Sequence, residues 1–140
     1  MSFAKNTSMS PDRASRQGGV AAMEFALVIV VAMTLVLGSF DLGRAYYQSH
    51  VLLEAAQAAA RVGALPLSTG SDVQNAADDV LESSGITDAS VVSSNVGAAA
   101  IRGTETSVTV AVEFQTMTGS LIPGWTGEVN LSRTARMRHE

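Results

Sequence analysis

The chain of 140 residues has no cysteine, which removes a disulfide framework, a thiolate zinc site, an Fe–S cluster and a cysteine nucleophile together. Stability has to come from packing. Charge is scarce as well: 16% of residues are charged against 46% hydrophobic, which excludes a disordered chain. The mean hydropathy of +0.22 is high for a small soluble protein. Nine basic residues stand against thirteen acidic ones with no Lys/Arg block, so phosphate-backbone recognition is excluded as a main role and no nucleic acid partner is expected. Proline occurs at positions 11, 66 and 123 alone, which leaves a long interval without a helix breaker. The length suits one compact domain, or a membrane segment that carries one small domain.

The charge and the apolar residues are unevenly placed. Residues 1–19 hold Lys5, Arg13 and Arg16 against Asp12, among Asn, Thr, Ser and Gly, and form a basic leader. From Phe25 to Phe40 no residue is charged, and extending back to Val20 adds Glu24 as the single ionisable group. About 20 apolar residues at 1.5 Å each span a bilayer core. The block lacks polar alternation, so it is not a half-buried strand, and it reads as a transmembrane helix over 20–40. The leader's cations outnumber Arg44, the one basic residue within the next twenty, which leaves the leader in the cytoplasm and the C-terminal part outside it. A removable signal peptide would have a shorter apolar core ending at an Ala-x-Ala site, whereas this stretch runs into Ser39-Phe40-Asp41-Leu42-Gly43. A buried helix of a cytosolic protein leaves the unequal flanks unexplained.

Helical character continues through 41–64, rich in Ala, Leu, Gln and Glu. His50, Glu54, Gln57 and Arg61 mark a polar face, and Leu42, Ala45, Ser49, Leu53, Ala56, Ala60 and Gly63 a face of mostly small side chains. The remainder, 66–140, reads as a small exported α+β domain. Ser71 is placed to cap a helix over 72–83, with Val73, Ala76, Ala77, Val80 and Leu81 as its apolar stripe. A first strand is expected within Ala89–Ile101, where Val92, Val96, Ala98 and Ala100 share one parity. Arg102–Glu105 reads as a turn. Thr106–Gln115 alternates cleanly, with Val108, Val110, Val112 and Phe114 on one face; Glu128–Arg138 places Val129, Leu131, Ala135 and Met137 together, interrupted by Arg133. The expected fold is α+β, a long membrane-spanning helix followed by one short helix and a three-stranded antiparallel sheet.

Glu24 is the residue that most needs a reason, because a carboxylate at the centre of a membrane helix costs about 2.5–3.5 kcal/mol on insertion scales. Proximity to the membrane edge would keep it hydrated. Its setting points elsewhere: Arg16-Gln17-Gly18-Gly19 precedes Val20-Ala21-Ala22-Met23-Glu24-Phe25 and then unbroken apolar sequence. A glycine, four mainly apolar residues, then Glu and an aromatic resembles the prepilin processing motif of type IV pili in its tight-adherence (Tad/Flp) form. The resemblance implies cleavage after Gly19 by a prepilin peptidase of the inner membrane, with Val20 as the new N-terminus. It also implies that Glu24, next to Phe25, meets the N-terminal amine of a neighbouring subunit in a helix bundle, each charge offsetting the other's desolvation. Across residues 17–64 the chain is similar to TadE-like proteins, the minor pseudopilins of those systems, through Glu24–Leu27, Phe40–Ala45, Ala55–Arg61 and Gly63-Ala64. The ending Arg136–Glu140 is similar too. Many relatives carry a disulfide pair in the exported domain; this chain departs from them in having no cysteine.

That resemblance implies a minor pilin-like subunit for assembly of a tight-adherence pilus, serving bacterial surface adhesion and biofilm formation. The implied partners are the prepilin peptidase, other pilin-like subunits and the inner membrane, with no cofactor. The alternative is a signal-anchored periplasmic binding or sensing module that keeps residues 1–19 and never enters a filament. Asp41 and Arg44 read as a local i,i+3 ion pair, or as a contact marking the outer edge of the bundle. Tyr46 and Tyr47 are placed like interfacial anchors. Ser39 and Gly43 form a weak small-xxx-small pair. Enzymatic activity is not expected: His50 and His139 read as solvated, Asp78, Asp79 and Glu82 as a charged helix face without the loop of a calcium site, and no metal ligand set emerges. Trp125, in the loop 117–127, reads as a lid over the small core or as an exposed contact for a partner, and the small size of the domain favours the lid.

Overall fold

The computed structural model describes residues 11–97, 103–119 and 124–139, with side chains from position 19 onward. The chain divides into two units, Met1–Leu37 and Gly38–Glu140. Helix α1 runs from Pro11 to Gly63. It therefore starts within the leader rather than at Val20. Proline suits the first helical position, since its missing N–H would have had no intrahelical partner. Residues 1–10 of the leader lie outside the described residues. In the first unit every side chain from Val20 to Val36 is exposed, and α1 is the one described helix long and apolar enough to cross a membrane.

In the second unit the same helix becomes part of a core. Val51, Leu52, Ala55, Ala56, Ala59 and Ala60 are buried against Val73, Ala77 and Leu81 of helix α2 (Gly70–Ser83) and Val108, Val110 and Val112 of the sheet. The buried stripe passes through Ser49, Ala56, Ala60 and Gly63, as the sequence suggests, but Leu42 is 73% exposed and Leu53 only half-buried. Val51, Leu52, Ala55 and Ala59 take the central places, a stripe rotated by about one residue. The unit thus begins at Gly38, well before residue 66. Removing Leu52, Val73, Val108 and Val110 from water contributes about 1.5–3 kcal/mol each. α1 stops before Pro66, which disfavours helical geometry in the residue before it. At Gly63 a Cβ would lie 2.8 Å from Thr106 Cγ2, so the absent side chain lets the strand that carries Thr106 close over the helix end.

α2 is capped by Thr69 rather than Ser71. The Thr69 hydroxyl accepts from the Asp72 N–H and the Asp72 carboxylate accepts from the Thr69 N–H, a reciprocal capping box. Its end is closed by the Gly85 N–H donating to Glu82 C=O and the Ile86 N–H to Leu81 C=O, with both Ile86 and Leu81 in the core.

The sheet has the order β1-β2-β3, antiparallel throughout, from Ser90–Ser94, Glu105–Gln115 and Glu128–Arg138. β2 buries Thr106, Val108, Val110, Val112 and Phe114 in strict alternation. β1 is shorter than expected, and its parity is the reverse: Val91, opposite Val110, packs on the core while Val92 is 67% exposed. Asn95, at φ 56°, ends the strand and resets the alternation, so Val96 also reaches the core. Ala98, Ala100 and Arg102 lie outside the described residues. Arg133 shares the core-facing parity of β3 and sits opposite Val110, yet remains exposed.

His139 is buried, contrary to its reading as a solvated side chain. Its Nε2 lies 3.0 Å from Asn95 C=O, which can only accept, so Nε2 carries a proton. The Thr106 hydroxyl, next to that nitrogen, reaches Asn95 C=O at 2.8 Å and Gly63 C=O at 3.3 Å. One buried polar knot therefore joins the end of α1, the turn after β1 and the last described residue.

Candidate functional site

Gly19, Val20, Glu24 and Phe25 lie in the first unit, on α1. Gly18 and Gly19 adjoin in mid-helix, each about 1 kcal/mol less favourable there than alanine, which makes this the weakest local stretch of helix before the apolar run. No atom would meet a Cβ placed on Gly19. Val20 is 59% and Phe25 66% exposed, and Glu24 is exposed among apolar neighbours with no hydrogen-bond or ion-pair partner among the described residues. Val20 and Glu24 stand at i,i+4, on one side of the helix.

The second cluster surrounds Asp41, the first charged residue after the apolar run. Asp41 is only 5% exposed. Its carboxylate accepts from the Met117 N–H at 2.9 Å, the Thr118 N–H at 2.9 Å and the Thr118 hydroxyl at 2.7 Å. The expected i,i+3 ion pair is present, with the Arg44 guanidinium 4.0 Å away, but Arg44 is the lesser partner. These bonds, the Met117 N–H foremost, hold the Asp41 carboxyl below the usual carboxylate range against the opposing effect of burial. Arg44 instead lies over the Phe114 ring, 5.3 Å from its centroid, covering the end of β2 with a cation–π contact. Tyr46 stacks edge-on against His50 at 4.5 Å, and Tyr46 and Tyr47 are 67% and 57% exposed.

The loop that Asp41 grips is itself pinned. The Thr116 N–H and hydroxyl both donate to Gly127 C=O, at 2.9 and 3.0 Å. Gly119 and Gly127 approach so closely that a Cβ on Gly119 would fall 2.3 Å from Gly127 Cα. Trp125 is 40% exposed and outside the core cluster, which overturns its reading as a lid. Residues 120–123 of this loop lie outside the described residues. The clamp escapes sequence reasoning because its partners lie 76 and 77 positions apart; the one available signal is a lone acid at the end of an apolar run.

Elsewhere, a shallow groove on the solvent side of the sheet is lined by Asp88, Ser90, Ala111, Glu113, Gln115 and Asn130. Among the described residues no three His, Cys, Asp or Glu side chains converge as a metal site would need.

No curated protein and no solved structure matches the chain. Over its long helix, however, residues 19–61, the stretch that holds Gly19, Glu24 and Asp41–Tyr47, match the model of the TadE-like protein family.

Proposed function

We propose that this protein is a minor pilin-like subunit of a tight-adherence pilus, whose role in surface adhesion and biofilm formation is carried out by assembly and not by turnover. The carrying observation is Glu24: a carboxylate in the fully exposed apolar stretch 20–36 of α1, with no partner among the described residues, five positions after Gly19, inside the segment that matches the TadE-like family. In a bilayer or a bundle such a group requires a cation from outside this surface. Cleavage after Gly19 by a prepilin peptidase creates one, the amine of Val20, and helices of neighbouring subunits bring it to Glu24. The leader stays in the cytoplasm, 20–40 crosses the inner membrane, and the second unit stands outside.

Two substitutions test this. Intact-mass measurement of protein extracted from membranes should give a chain starting at Val20, and Gly19→Leu, which meets no steric obstacle within the chain, should leave Met1 in place. Glu24→Gln should still be cut, yet lose co-purification with the other pilin-like subunits and lose adherence, because an unpaired buried cation costs about 3–5 kcal/mol. Unprocessed wild-type protein in cells with active peptidase, or normal assembly of Glu24→Gln, would return the chain to the anchored-module reading.

A further inference from the structure

The sheet ends in two unlike edges. β1 offers a short one, 5 residues from Ser90 to Ser94, whereas β3 runs for 11 residues with β2 on one side and no described element paired on the other. The His139 N–H donates to Thr104 C=O at 3.0 Å and the Thr116 N–H to Gly127 C=O at 2.9 Å, which fixes the ladder: odd-numbered residues of β3 bond to β2. The backbone groups of Glu128, Asn130, Ser132, Thr134, Arg136 and Arg138 therefore point out of the sheet. Pairing with β2 is unbroken from Glu128 to Arg138 and the strand has no proline, so neither a bulge nor a proline blunts this edge. Its one guard is Arg133, whose guanidinium donates to Ser132 C=O at 3.2 Å, in the place where a neighbouring strand's N–H would come.

We infer that this edge pairs with the same edge of a second copy, β3 antiparallel to β3 about a two-fold axis at Ser132, so that two three-stranded sheets become one. Charge selects that occupant. On the solvent face Glu128 lies at one end of β3, with Glu113 opposite its neighbour Asn130, while Arg136 lies near the other end opposite Ser107. Neither Glu128 nor Arg136 has an ion-pair partner among the described residues. Turning a second copy end for end sets Glu128 opposite the second copy's Arg136, twice by symmetry, with Asn130 opposite Thr134 and Ser132 opposite itself. On the other face Val129, 37% exposed, meets Ala135, and half-buried Leu131 is covered by the aliphatic stem of Arg133 once its guanidinium swings off Ser132 C=O. A shift of two residues that brings Arg133 against Arg133 opposes like charges, and a shift of one sets outward backbone groups against groups already bonded to β2. Only the register centred on Ser132 pairs Glu128 with Arg136. The inference needs neither cleavage after Gly19 nor entry into a filament.

The chain has no cysteine, so one introduced residue carries a spin label to a known place. Full-length Ser132→Cys, labelled with a nitroxide and held in detergent at rising protein-to-detergent ratio, should show dipolar broadening, because paired strands lie about 4.8 Å apart. Excess unlabelled chain should remove it. Ser94→Cys, on the far edge, should show none. Asn130→Pro takes away an N–H that points out of the sheet and spares the β2 ladder, so circular dichroism should keep the folded signal while the Ser132 broadening is lost. Arg136→Glu and Glu128→Arg should each weaken association severalfold, and the two together should restore it; association unchanged by either single variant overturns the register. No broadening at Ser132, in detergent or in membranes, overturns the inference. Broadening that survives Asn130→Pro, or that appears equally at Ser94, overturns the edge in favour of association through another surface. A label immobilised in membranes of the producing cells without broadening overturns the second copy in favour of a strand from another subunit.

Discussion

The two parts of α1 differ in a way that hydropathy alone misjudges. Residues 20–36 are the most apolar stretch of the chain and bury nothing within it, whereas 49–63, poorer in large apolar side chains and interrupted by His50, Glu54 and Arg61, supply a large share of the core. A helix apolar on every side has its solvent or partners outside the chain; one apolar along a stripe has them inside. In residues 20–36 the side chains are mostly Val, Leu, Ile and Met, which suit an apolar surrounding. In residues 49–63 four of the six buried apolar side chains are Ala, which let α2 and β2 approach the helix backbone.

The sharpest way to break this comparison is truncation. A fragment beginning at residue 66 lacks Val51, Leu52, Ala55, Ala56, Ala59 and Ala60 and has no cysteine to compensate, so it should show no cooperative thermal transition by circular dichroism. A fragment beginning at Gly38 should melt cooperatively. If the shorter fragment folds equally well, residues 49–63 of α1 are not core. Next in size is a matched pair of substitutions. Leu52→Ala should destabilise the second unit by about 2–5 kcal/mol, whereas Leu27→Ala, 69% exposed, should leave its melting unchanged in detergent. Thr69→Ala, which removes the capping box of α2, should cost about 1 kcal/mol in denaturant unfolding.

The smallest expected effect is on pH dependence, and it is confined to acid. The Asp41 carboxyl is held below its ordinary value, so its contribution is complete above the unfolded carboxylate range near pH ~4 and is lost as pH falls through the lower folded value. Asp72, lowered first by the Thr69 hydroxyl and then by the Thr69 N–H, loses its contribution in the same direction. Trp125 fluorescence of detergent-solubilised protein separates the two: a change below pH ~4 that persists in Thr69→Ala and vanishes in Asp41→Ala belongs to the clamp. A flat profile would show that the 117–118 bonds do not depend on the charge of Asp41.

What the sequence by itself determined about this protein is whatever depends on neighbours a few residues apart. The unbroken helix, the apolar span, the alternation of Thr106–Gln115 and Glu128–Arg138 and the stripe of α2 all follow from periods of 3.6 or 2, read within one segment. The motif at Gly19–Phe25, and with it the TadE-like resemblance, is likewise contained in a few consecutive residues. Tertiary structure alone decided the rest. Which of Val91 and Val92 turns inward depended on Asn95 ending β1 and on register against Val110; which alanines of α1 lie at the centre depended on where the sheet lands. Asp41 had to find amides 76 and 77 positions away, and His139 a threonine 33 positions back. A carboxylate at a membrane edge and a histidine near a chain end are solvated by default, and they become buried groups only when folding supplies the donors and acceptors that replace water.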